Sequence, residues 1–286
     1  MRTETFATPG ALRLNLEIPA GKIEVETGSS EETYVELEAL SSNDAAREFV
    51  ERARIELLRR GDGHEVVVEA PTQRGLFISF SGGPDIRFGG PELRLRITCP
   101  AGADLDVRTK SADLEARGEY GTVDVKTASG DVNVQNVHGD ARVKTASGDV
   151  HFDDAGGRLD VNSASGDLHV DRVAGDSQMQ LVSGDIYVGQ AGGSVSANTV
   201  SGDQIIRAAL EGRVELRAIS GDVIVGIPRG TRLFVDANTV SGSTSSEVEL
   251  GDAPGGEEQS TEGPLVEVFA KTVSGDVRIE RAAARS

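Results

Sequence analysis

The sequence has no tryptophan, three tyrosines and a single cysteine, and each scarcity excludes something. Without large rings to fill a wide interior, the core must be built from Val, Ala, Leu and Ile, which suits a narrow, layered interior. Cys99, followed by Pro100, has no second thiol to pair with, so neither a disulfide framework nor a cysteine-based zinc cluster is available. It reads as a small buried hydrophobe. No stretch approaches the roughly 20 apolar residues of a membrane span, and Met1 to Gly10 lack the apolar core of a secretory signal. The chain as written is therefore expected in the cytoplasm, with no direct membrane insertion. Positive charge is also short: 29 Lys and Arg stand against 47 Asp and Glu, a net charge of −18 over 286 residues. A nucleic-acid backbone or an anionic lipid surface would be repelled, while cations and basic partners are favoured.

What the chain does have is glycine, 35 residues of it, in a strict rhythm. Ser-Gly-Asp begins at Ser129, Ser147, Ser165, Ser183 and Ser201, each step being 18 residues, with Ser111-Ala-Asp113 one step upstream. Further copies begin at Ser220 after 19 residues, at Ser241 after 21 with Ser243 in place of Asp, and at Ser274 after 33. A repeat of this length marks a solenoid. Inside it lies a half-unit of nine, since Gly121, Gly130, Gly139, Gly148, Gly157, Gly166, Gly175, Gly184, Gly193 and Gly202 are evenly spaced. The segments between them alternate, as in Val132-x-Val134, Val150-x-Phe152 and Leu168-x-Val170, and period two with β-branched residues means strand. One coil then holds two short strands and two turns, and stacking pairs each strand with its equivalent in the next coil. The fold class that follows is all-β, a parallel β-helix or solenoid with 18-residue coils. The nine-residue half-unit favours the right-handed form over a left-handed hexapeptide helix.

The expected organisation has four parts. Residues 1–100 form a strand-rich N-terminal part with one helix over about 43–59, beginning at an Asn43/Asp44 cap and packing across an irregular end of the solenoid. Residues 101–242 carry the regular repeat, 243–264 form an acidic loop insertion, and 265–280 make the final coil. Ile18-Pro19-Ala-Gly21, Cys99-Pro100-Ala-Gly102 and Ile227-Pro228-Arg-Gly230 read as corners at strand ends.

The recurring Val-Lys-Thr-Ala-Ser-Gly-Asp-Val of Val125 to Val132 and Val143 to Val150, with the strand-rich N-terminal half and the Pro-x-Gly corners, resembles the bacterial β-strand-repeat family labelled putative adhesin, a domain of unknown function. The resemblance spans nearly the whole chain. It implies a right-handed β-helix and a link to envelope stress or surface attachment.

Two constellations could carry chemistry. Asp131, Asp149, Asp167, Asp185, Asp203 and Asp222 should stack one coil apart, where carboxylates repel unless each is compensated. Asx-type turns that bond neighbouring amides are the simplest compensation, since the spacing does not match the nonapeptide calcium motif. The second constellation is Asp149-Val-His151-Phe-Asp153 beside Asp167-Leu-His169-Val-Asp171, also 18 residues apart. Their outward faces would present two histidines and four carboxylates, a donor set for zinc or another divalent ion, or else a solvated polar ladder. No nucleophile elbow, Walker loop or dinucleotide fingerprint is present, so no catalytic residue and no cofactor beyond that possible metal is assigned. The chain is expected to be a non-enzymatic binding or scaffold module engaging a protein or a surface polymer. The alternatives are a divalent-cation-binding protein and, less favoured because sugar-stacking rings are so few, a glycan-active β-helix enzyme.

Overall fold

The computed structural model describes residues 1–41, 44–71, 77–79, 85–87, 91–248 and 263–282. The chain divides into two compact units, Met1–Val132 and Asn133–Ser286, so the first Ser-Gly-Asp turn belongs with the N-terminal unit.

In the first unit, two long strands, β1 (Leu12–Gly28) and β2 (Ala103–Lys126), run parallel and in register from Arg13 opposite Asp104 to Glu26 opposite Arg117. Two shorter strands pair with the other edge of β1, also in parallel: β3 (Gly63–Glu69) with its first half and β4 (Leu93–Pro100) with its second. Inward side chains alternate along each, and Leu14, Leu16, Ile23, Leu95, Val107 and Leu114 are all 0–1% exposed. Tyr120 lies among them with its hydroxyl donating to the Val25 carbonyl at 2.9 Å, and burial pushes its ionisation well above the usual tyrosine range. Cys99 is fully buried, and burial pushes its thiol up to about 12, which disfavours the reactive thiolate.

This unit is not all parallel. The strand Glu32–Ala39 runs antiparallel to both β4 and Arg2–Ala7, and Arg54–Arg60 runs antiparallel to β3. The helix covers Asp44–Glu51 only, and 54–60 is a strand where the helix was expected to continue. The reason is the two-residue turn at Gly61-Asp62, with Gly61 at φ +63°, which closes a hairpin onto Gly63–Glu69 and places Ile55 opposite Val68 in the core. Phe49 and Val50, both buried, seat the helix against Glu32–Ala39. Asn43 lies outside the described residues, as do Leu76 and Phe80, the two ends of a strand-like run in the sequence, most of the acidic insertion and the end of the C-terminal tail. Pro19 does not end a strand, since β1 runs through it, whereas Pro100 and Pro228 do stand at strand ends.

The second unit is a β-solenoid of two parallel stacks. One stack comprises β5 (Ala141–Thr145), β6 (Leu159–Ser165), β7 (Ser177–Ser183), β8 (Val195–Ser201) and β9 (Gly212–Ser220). The other comprises β10 (Val150–Ala155), β11 (Leu168–Val173), β12 (Ile186–Ala191), β13 (Gln204–Ile206) and β14 (Val223–Ile227). Phe152, Val170, Val188, Ile206 and Val225 form one inward column, each 0–1% exposed.

The C-terminal coils change order. The coil β15 (Leu265–Ser274) and β16 (Val277–Arg281), last in sequence, pairs with β9 and β14 on one side and with Arg232–Ser241 and Thr244–Ser246 on the other. The expected final coil is therefore internal, and among the described residues the edge of the stack is 232–246. Backbone pairing explains the choice. Val266, Val268 and Ala270 are fully buried between two coils, whereas Leu233, Val235 and Ala237, which pair on one side only, remain partly exposed.

Candidate functional site

The Asp of each Ser-Gly-Asp turn sits just before an inward residue, a Val, Leu or Ile everywhere except at Asp203, where the buried Gln204 follows, with its carboxylate aimed along the stack. Oδ1 of Asp149, Asp167, Asp185, Asp203 and Asp222 each accept the backbone N–H of the equivalent residue in the next coil, at 2.8 Å. Asp276 accepts from the Ser243 N–H at 2.9 Å and from its hydroxyl at 3.0 Å. These bonds and the neighbouring Arg278 hold Asp276 below the usual aspartate range, so its contribution to stability is present above the ordinary aspartate pKa and fades as pH falls through the lowered one. Ser243, in the edge coil, has no following coil among the described residues whose amide would need an acceptor, which accounts for the one turn that lacks Asp. The ladder is structural. Replacing Asp185 by Ala should cost about 0.5–1.5 kcal/mol, because the Asp203 amide loses an acceptor but can reach water. Asp185→Asn keeps Oδ1 and should cost under half as much, which urea denaturation midpoints will show.

Asp149 and Asp167 are thus occupied by turn amides and do not join the histidines as the sequence pattern suggested. His151 and His169 are in register on adjacent strands, with ring centroids 4.9 Å apart, and Tyr187 stacks beyond His169 at 4.4 Å with an interplanar angle of 14°. Each histidine donates from Nε2 to the aspartate two residues on, His151 to Asp153 at 2.8 Å and His169 to Asp171 at 2.9 Å. One ligand atom from each of His151, Asp153 and Asp171 lies within 4.8 Å of the others. Ligand atoms around a tetrahedral zinc sit about 3.4 Å apart, so the side chains would have to close in to hold one.

A different feature of this unit escaped sequence reading. The residue before each Ser of Ser-Gly-Asp faces outward at the end of a strand or, for Ala146, just past it: Ala146, Ala164, Val182, Val200 and Ile219 in successive coils, then Val273 and, at the edge, Val240. From Val182 onward this column is β-branched and solvent-facing, with exposures of 54% at Val182, 45% at Val200 and 54% at Ile219. Beside it runs an amide column, Asn162, Gln180 and Asn198, and the two border a shallow depression of about 690 Å³. The recurring Val-Ser-Gly was the available signal. It is easily read as turn flank, because an apolar residue next to a glycine turn is ambiguous until the strand phase is known.

No curated protein matches this chain at a significant level. A putative adhesin from Bacteroides fragilis NCTC 9343, solved at 2.07 Å, is 13% identical over 97% of this chain and 96% of that one, with a TM-score of 0.41. A putative adhesin from Parabacteroides distasonis ATCC 8503 is 11% identical over 97% and 96%, with a TM-score of 0.38. A putative cell adhesion protein from Clostridium sporogenes ATCC 15579 is 12% identical over 98% and 99%, with a TM-score of 0.25. The repeat, the stacked coils and the strand-rich N-terminal unit are matched together by one family model, over residues 13–280, and the chain belongs to the Toastrack DUF4097 family.

Proposed function

We propose that this chain is a non-enzymatic binding module that engages another protein through the exposed column of Val182, Val200 and Ile219 and the adjoining amides. The observation that supports this reading is the exposure itself. Three successive β-branched side chains, each about half exposed, form a continuous apolar strip, and such strips on otherwise charged surfaces mark interaction sites. Coil stacking holds the strip rigid at a spacing of roughly 4.8 Å, so little side-chain entropy is lost when it is covered. A role at the cell envelope belongs to this reading on the strength of the family resemblance alone. A glycan-active enzyme is disfavoured because glycoside hydrolysis needs a facing pair of carboxylates. The apolar strip offers none.

The test compares affinity capture by the parent protein with capture by Val182→Glu, Val200→Lys and Ile219→Glu combined, charges that alternate in sign so that neighbours one coil apart attract. These side chains are exposed, so the melting temperature should stay within about 3 °C. A protein retained by the parent and lost with the triple variant is the expected result. Identical captured sets would refute the strip as the binding face.

The convergence of His151, Asp153 and Asp171 supports a second reading, a divalent-cation site on the neighbouring sheet face. Zinc at a hundredfold excess over its Kd should raise the melting temperature by about 5–10 °C. His151→Ala should abolish the rise. No shift in the parent protein would sink this reading.

A further inference from the structure

We infer that the second unit carries an anion-binding groove, separate from the apolar strip, built for a small carboxylate with a short apolar tail. On the sheet face that bears the stacked rings, successive outward positions run Asp153, Asp171, Gly189, Arg207, Gly226 and Glu280. Arg207 therefore stands between two glycines. Neither can carry a side chain: a Cβ on Gly189 would lie 2.5 Å from the Asp171 carbonyl oxygen, and one on Gly226 would lie 1.9 Å from that of Arg207. The floor on both sides of the guanidinium is consequently left open.

The adjoining outward column loses its polarity over the same coils. His151 and His169 give way to Tyr187, Ile205 and Ile224. Together with Pro228 and Ala282 at the corner, Tyr187 and Ile224 line a groove of about 940 Å³, within the size range of small-molecule sites.

Charge decides what the groove would take. Three arginines, Arg207, Arg229 and Arg281, line it against one carboxylate, Glu280. In a chain with net charge −18, most arginines pair with Asp or Glu, yet none of these three has a carboxylate within ion-pair distance among the described residues. The Arg207 guanidinium instead lies 5.9 Å from the centre of the Tyr187 ring. A planar guanidinium presents a fork that matches a carboxylate with two parallel hydrogen bonds. Three positive groups against one negative leave a surplus of two charges that attracts an anion, and the Tyr187, Ile224 and Pro228 surface, which an inorganic anion cannot use, would cover an apolar tail next to the charged head.

Isothermal titration with octanoate tests the assignment on the full chain. Saturable binding at one site per chain is expected, weakened at least tenfold by Arg207→Gln combined with Arg229→Gln and by Arg281→Gln alone. Arg158→Gln, outside the groove, should leave the affinity unchanged. All four arginines are exposed, and unchanged thermal melts will verify folding; Arg281→Gln keeps the test decisive if the double variant melts early. Octanol, octylamine and inorganic phosphate should each bind at least tenfold more weakly than octanoate. Octanol binding as tightly would reduce the groove to an apolar patch, phosphate binding as tightly would reduce it to a bare cationic one, and either result overturns the proposal. So would the absence of saturable octanoate binding, or affinity unaffected by the arginine changes.

Discussion

Gly202→Ala is expected to destabilise the second unit by about 3–5 kcal/mol, the largest effect of any one-atom change considered for this chain. Two costs combine. Gly202 has φ +141°, a conformation L side chains rarely adopt, and a Cβ there would sit 2.0 Å from the backbone oxygen of Gly184, which cannot yield without breaking the register of the coils. The same contact recurs up the stack, with Gly184 against Gly166 and Gly221 against Gly202. A shift at one coil must therefore be passed to the next. Gly230 provides the comparison, since it too has positive φ, at +80°, but nothing lies within 4 Å of its hypothetical Cβ. Gly230→Ala should cost only about 1 kcal/mol. Urea denaturation of the two variants separates close approach from backbone conformation. If both lose the same stability, coil contact is not what requires glycine at Gly202.

Phe152→Ala should cost about 3–5 kcal/mol. Phe152 is fully buried, in register with Val170, and is among the largest buried side chains of a core otherwise made of Val, Leu, Ile and Ala. β-Branched neighbours held by hydrogen bonds on both sides cannot collapse into the space a ring leaves, so the cavity term adds to the lost transfer energy. Phe234, on the edge coil and 52% exposed, offers the contrast. Its ring contacts Phe269 at a centroid distance of 5.8 Å, and Phe234→Ala should cost about 1 kcal/mol or less. Equal losses at the two positions would show that the solenoid interior relaxes as freely as its edge.

Much of the candidate chemistry was legible in advance, though not its grouping. The 18-residue spacing placed His151 beside His169 and put Phe152 and Val170 inside, because in-register stacking turns a sequence offset directly into adjacency. The same spacing offered Asp149 and Asp167 both to the histidines and to backbone amides, and the structure gives their Oδ1 atoms to the amides. A residue at the turn can swing its side chain along the stack, and the unpaired N–H of the next coil claims it.

By itself, the sequence determined the repeat length, the alternation that divides inward from outward side chains, the glycine turns and the acidic surface. Each is a local or strictly periodic property, and periodicity specifies its own neighbours. Tertiary structure alone decided the order of the last coils, the antiparallel pairings of the N-terminal unit and the helix end at Glu51. It also decided which of the many outward residues fall together as an apolar strip and as an arginine-lined groove. These depend on which edge finds a partner and on the loss of register after Gly202, where the step lengthens from 18 residues and the offset no longer names the neighbour.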